Sequence, residues 1–82
     1  MFKTKLPIIS GKKLIKELER LGYNVIRQKG SHVRLLKKTL IGDHKITIPN
    51  HKEIAVGTLN DILNKVSLWN NISKEEIIKI LS

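Results

Sequence analysis

The spacing of apolar residues changes period twice along this chain, and that limits the folds open to it more than any other feature. Leu14, Ile15, Leu18 and Leu21 recur at helical spacing and form one apolar stripe. Val33, Leu35, Ile46 and Ile48 then recur at every second position, the period of strands with one covered face. Leu59, Ile62, Leu63 and Val66 return to helical spacing. Two amphipathic helices therefore flank a small sheet, and 82 residues allow one core between them. Only Phe2, Tyr23 and Trp69 are aromatic, so that core is aliphatic.

Local signals set the boundaries. Ser10 precedes the first stripe as an N-cap, and Gly22 follows it as a left-handed closing residue. Residues 23–28 read as a strand through β-branched Val25 and Ile26, but both alternations contain an apolar residue, so neither face is marked as inner. Lys29, Gly30 and Ser31 make a turn. In the strand over 32–37, Val33 and Leu35 take one face and His32, Arg34 and Leu36 the other. Residues 38–43 read as a loop, 44–48 as a third strand ended by Pro49, and 51–56 as a second loop. The next helix begins at Gly57 and Thr58, with Thr58 and Asp61 at capping-box spacing. A connector over 67–72 leads to a second capping box, Ser73 and Glu76, and a short helix bearing Ile77, Ile78 and Leu81. Trp69 is expected to plug the gap between the last two helices. The predicted fold is α+β, α-β-β-β-α with a short extra C-terminal helix. Its three strands form an antiparallel meander, and its helices lie on one face. The other face stays wet.

The charge is strongly asymmetric. Residues 1–38 hold eleven Lys and Arg against two acids, Glu17 and Glu19, while residues 39–82 balance. A basic half beside a neutral half is the pattern of one face for a polyanion, which favours nucleic acid over a merely solubilising surface. No cysteine is present, so disulfides and cysteine–zinc sites are excluded and a reducing, cytoplasmic setting is expected. No apolar run is long enough for a membrane span.

His32 stands out as a candidate for chemistry. It opens a strand directly after a glycine turn, which can hold a side chain firmly and leave it accessible. Histidine gives and takes protons near neutral pH. RNA cleavage needs a base for the 2′-hydroxyl, an acid for the leaving oxygen and cations for the developing phosphorane charge. Arg27, Lys29 and Arg34 lie close in sequence to supply the cations. An ordinary exposed strand histidine is the plainer reading of the spacing alone. His44 and His51 complete a set of three, but the gaps match no metal-ligand pattern and no carboxylates join them, so no metal or cofactor is expected. The helix start at Gly57 and Thr58 resembles an anion site but reads first as a simple cap. Tyr23 and Trp69 are of the type that stacks bases.

Several strings belong to one pattern. Ser10-Gly11-Lys12 opens the first helix and Leu21-Gly22-Tyr23 closes it. Arg27-Gln28-Lys29-Gly30-Ser31-His32 spans the turn, Ile48-Pro49-Asn50-His51 ends the third strand, and Gly57-Thr58-Leu59 opens the later helix. Together, over about residues 10–66, they resemble the HicA toxins of HicAB toxin–antitoxin systems. The resemblance implies a double-stranded-RNA-binding-domain-like fold, with residues 1–82 as one toxin domain. It also implies an mRNA-cleaving ribonuclease acting in translational stress, and a HicB-type antitoxin that masks the site. The family's catalytic histidine maps onto His32. Members often carry an acid after the first-helix lysine, where this chain has Lys13, and this strengthens the basic face.

Three functions follow as expectations. The first is a metal-independent endoribonuclease toxin using His32, with Lys12, Lys13, Lys16, Arg27, Lys29, Ser31 and Arg34 binding RNA. Its second proton carrier is left among water, a lysine and His51. The second is a non-catalytic RNA-binding module of the same fold, weakened because the helix start at residues 57–61 carries no lysine. The third is a protein-interaction domain whose cationic face meets an acidic partner.

Overall fold

The computed structural model describes residues 5–82; Phe2 and Lys3 lie outside the described residues. The element order is α1 (Gly11–Arg20), β1 (Asn24–Lys29), β2 (His32–Thr39), β3 (Gly42–Pro49), α2 (Val56–Asn70) and α3 (Lys74–Leu81). The strands form one antiparallel sheet in the order β1-β2-β3. This is the α+β order anticipated from the apolar periods, and the double-stranded-RNA-binding-domain-like arrangement that the family resemblance implies.

The first helix ends where its caps dictate. The Ser10 side chain accepts a hydrogen bond from the Lys13 backbone N–H at 3.1 Å. At the other end, Tyr23 N–H donates to the Leu18 carbonyl and Gly22 N–H to the Glu19 carbonyl, each at 3.0 Å. That pair of bonds is a Schellman closure, and it requires the positive φ that Gly22 adopts, +104°. Tyr23 is thereby delivered into the core rather than onto the surface, 1% exposed, and the strand starts one residue later than its β-branched pair suggests. A base-stacking role for Tyr23 is ruled out by this burial.

The inner sheet face is covered. Val33, Leu35, Ile46 and Ile48 are buried with Leu14 and Leu18 of α1, Leu59, Ile62, Leu63 and Val66 of α2, and Ile77, Ile78 and Leu81 of α3. The turn between β2 and β3 is far tighter than the expected loop over 38–43. Thr39 pairs with Gly42, leaving only Leu40 and Ile41 between the strands. The Thr39 hydroxyl closes this turn by donating to the Gly42 carbonyl at 2.7 Å and accepting from the Ile41 N–H at 3.2 Å.

The second long helix also departs from expectation. It begins at Val56, with Ala55 as a cap that offers no side-chain bond, so Thr58 and Asp61 are helical residues and not a capping box. It continues through the expected connector to Asn70 and is closed by Asn71 in the left-handed conformation, φ 51°. Ser73 does cap α3, accepting from the Glu76 N–H at 3.2 Å.

The extra turn of α2 places Trp69 and Asn70 over the β2–β3 hairpin. Trp69 does not fill a gap between helices. Its ring stacks on His44, centroids 4.9 Å apart and planes 2° from parallel. His44 is 4% exposed, and its Nδ1 lies 2.6 Å from the Tyr23 hydroxyl. That hydroxyl also accepts from the Asn70 amide at 2.9 Å, so Tyr23 links the His44 imidazole to the last turn of α2. Lys37 donates in turn to the Asn70 side-chain oxygen. Burial first, and then the charge of Lys65, push the His44 pKa below its ordinary value.

A second tight approach joins α1 to the sheet. Gly11 is buried, and its N–H donates to the His51 carbonyl at 2.8 Å. A Cβ at Gly11 would stand 2.1 Å from the Pro49 carbonyl oxygen and 2.7 Å from the Asn50 Cα, both backbone atoms. Gly11→Ala should therefore cost about 1–3 kcal/mol of stability, read as a shift of the urea midpoint with an unchanged slope. His44 generates a separate expectation. Its folded pKa lies below the unfolded value of about 6.5, so its contribution is complete above that pH and is lost as the pH falls below it. Thermal unfolding between about pH 7.5 and about pH 5 should show a fall in Tm that His44→Gln reduces. Equal falls in both proteins would place the acid sensitivity elsewhere.

Candidate nucleic-acid interface

The sheet face away from the helices is open, and its composition follows from strand register. Lys29 pairs with His32, which pairs with Pro49. Arg27 pairs with Arg34, which pairs with Thr47. Asn24 pairs with Leu36, which pairs with Lys45. Side chains opposite one another share a face at about 4.5–5.5 Å between Cβ atoms, so His32 sits in a row of close neighbours.

Arg27 and Lys29 reach this face only because β1 is irregular. Val25 pairs with Leu35 on the covered face, and the register shifts between Val25 and Arg27. Ile26 is the extra residue of a β-bulge. In an unbroken strand, Arg27 and Lys29 would share a face with Val25. The bulge turns them to the side of His32. It also explains why neither alternation of residues 23–28 marks an inner face.

Arg27, Lys29, His32, Arg34 and Thr47 together line a shallow cavity of about 140 Å³. Three of the five carry positive charge, and none is a carboxylate. Among the described residues the ion pairs are Arg20–Glu17 and Lys65–Asp61, so the cavity's cations are bound to neither. His32 is exposed at the mouth of a two-residue turn, with Gly30 at φ +59° in the first central position that favours glycine. The turn is anchored from the other side, where the Asn50 N–H donates to the Ser31 carbonyl at 2.7 Å. This arrangement holds an imidazole among unpaired cations on an open surface, and it suits a phosphodiester beside a proton-transfer group.

The expected site residues separate into two groups. Arg27, Lys29, His32 and Arg34 come together. Ser31 is in the adjoining turn, exposed, and does not line the cavity. Lys12, Lys13 and Lys16 lie on α1, where they surround a different hollow with Ser10, Glu17 and Arg20. Because α1 covers the inner sheet face, these lysines form a second basic surface apart from the His32 cavity. Thr47 is the cavity residue that motif reading misses, although Ile46 and Ile48 facing inward already send it outward. His44 is spent in the core, and exposed His51 follows Pro49 by two residues. Among the described residues no group of three His, Cys, Asp or Glu is placed to hold a metal ion, and no helix is long and apolar enough to cross a membrane.

Neither a curated protein nor a solved structure matches the chain. A family profile described as the HicA toxin of bacterial toxin–antitoxin systems matches residues 11–68. That span runs from the glycine at the start of α1 to the last turn of α2 and contains every residue of the His32 cavity. The chain belongs to the HicA toxin family, as a toxin of a toxin–antitoxin system.

Proposed function

We propose that this toxin is a metal-independent endoribonuclease that cuts mRNA in the cytoplasm, with His32 as its catalytic residue. The observation that carries the reading is the placement of His32 among Arg27, Lys29 and Arg34 on an open face. In the step envisaged, a base removes the 2′-hydroxyl proton, the 2′-oxygen bonds to phosphorus, and the P–O5′ bond breaks as an acid protonates the leaving oxygen. His32 moves one of these protons. Lys29, paired across from His32, His51, two residues beyond Pro49, and water are the candidates for the other. Arg27 and Arg34 hold the phosphate and stabilise the charge gathering on it. A HicB-type antitoxin restrains the enzyme by covering this face, a surface of roughly 1,200–2,000 Å² in total for a stable complex.

His32→Ala and His32→Gln should lower RNA cleavage by about 10²–10⁴-fold and relieve growth arrest while leaving the circular dichroism spectrum and RNA binding intact. A folded His32→Ala variant with full activity would overturn the assignment. Binding without cleavage in wild type and variant alike would favour a plain RNA-binding module.

The two basic surfaces generate a further expectation. RNA affinity should fall steeply with salt, by a logarithmic slope of about 0.7 per phosphate contacted on a single strand. Changing Arg27, Lys29 or Arg34 to Gln should remove about one phosphate's worth of slope each. The same change at Lys12, Lys13 and Lys16 should lower the slope only if the strand wraps from the sheet onto α1. A slope indifferent to both sets excludes phosphate binding by the basic half.

A further inference from the structure

The outer edge of the sheet carries a surface that the cleavage reading does not use. Among the described residues β1 pairs with β2 alone, and all six of its residues are exposed. Alternate backbone N–H and C=O groups of an edge strand point outward without partners; the bulge at Ile26 and the charges of Arg27 and Lys29 guard this edge against a like strand and leave it open to one of opposite charge. Beside it runs a hollow of about 260 Å³ between α1 and β1. Its walls are Lys12 and Lys16 of α1, its floor includes Ile15, Val25 and Val33, and Glu19 is its one acid.

We propose that this edge takes an added β-strand from an acidic, extended segment of a partner protein. Side chains of an added strand alternate between its two sides. On the helix side they would meet the apolar floor at Ile15 and Val25, rimmed by Lys12 and Lys16. On the open side they would meet Arg27 and Lys29. Positive charge thus flanks both sides of the vacant position, and a strand alternating carboxylate and small apolar residues complements it. The same charges select against a second copy of this chain. Antiparallel pairing of β1 with another β1 would set Arg27 and Lys29 of one copy against those of the other, and like charges opposite one another are unfavourable. Backbone hydrogen bonds supply the affinity of such a contact, and the flanking charges supply its specificity.

The docking stands independently of catalysis. One consequence rests on the reading of the His32 cavity as a phosphate site. Carboxylates placed beside Arg27 and Lys29 would compete with phosphate for the same cations, weakening substrate binding from the edge without covering His32.

The test uses the full-length protein labelled with ¹⁵N and a capped heptapeptide alternating glutamate and valine. The expected result is saturable shifts of the amides of residues 24–29, with slowed exchange of those that point outward. N-methylation at alternate residues of the peptide, which removes its bonding N–H groups, should weaken binding about tenfold or more. Replacing its glutamates with lysine should abolish binding. Lys12→Gln with Lys16→Gln should weaken it while the spectrum of the free protein stays folded. The proposal is overturned if the N-methylated peptide binds equally, which would mean charge attraction alone. It is also overturned if the shifts cluster on the exposed face of α1, or if no binding is seen at millimolar peptide. Shifts of the same amides by a short RNA oligomer, with none from the peptide, would make the edge nucleic-acid surface and also overturn it. None of these outcomes depends on whether His32 cleaves RNA.

Discussion

One extra residue in β1 sets the chemistry of the open sheet face. The bulge at Ile26 keeps Val25 on the helix side of the sheet while Arg27 and Lys29 turn to the other side. A period of two allows no such switch inside a regular strand, because shifting by one residue exchanges the faces. Without the bulge, either Val25 would leave the inner face or two of the three cations beside His32 would be lost from the open one. The cost is a locally unpaired residue, which an edge strand bears more easily than a central one.

The frame that holds His32 is built from the opposite direction. His32 pairs with Pro49, the Pro49 carbonyl lies against Gly11, and the Gly11 N–H is bonded to the His51 carbonyl. The first turn of α1 therefore clamps the sheet end that presents the imidazole. A side chain larger than hydrogen at Gly11 would move backbone, and backbone there carries the site. At the far end of the hairpin the clamp is polar. His44, Tyr23, Asn70 and Lys37 tie β2 and β3 to the last turn of α2 under the Trp69 ring. No buried side-chain nitrogen or oxygen among the described residues lacks a partner, so this polar cluster sits in an aliphatic core without an open desolvation penalty.

The basic excess in the first 38 residues is distributed by these same constraints. Strand cations reach the open face through the bulge, and helix cations stay on α1, which covers the other face. A phosphate held beside His32 meets Arg27, Lys29 and Arg34. The α1 lysines gather around a separate hollow with Ser10, Glu17 and Arg20.

The chain states many of its own boundaries. Ser10, Gly22 and Ser73 mark helix ends through bonds within a few residues, and the alternation of Val33, Leu35, Ile46 and Ile48 names the covered face. His32 and Arg34 therefore read as outward from the sequence alone, and the recurring strings around Gly11 and His32 carry the family. Other features needed the folded molecule, because their causes lie far apart in sequence. The bulge depends on how β1 registers against β2. The burial of His44 depends on Trp69 and Asn70 arriving from α2. The length of α2 beyond Ser67 depends on that same contact, since nothing local forbids the connector expected there. Thr39 and Gly42 close a two-residue turn only because the full ladder of β2 against β3 brings them opposite. Local hydrogen bonding and side-chain period are legible in a linear chain, whereas register, the partners of buried polar groups and the division of charge between two faces are decided when distant segments pack.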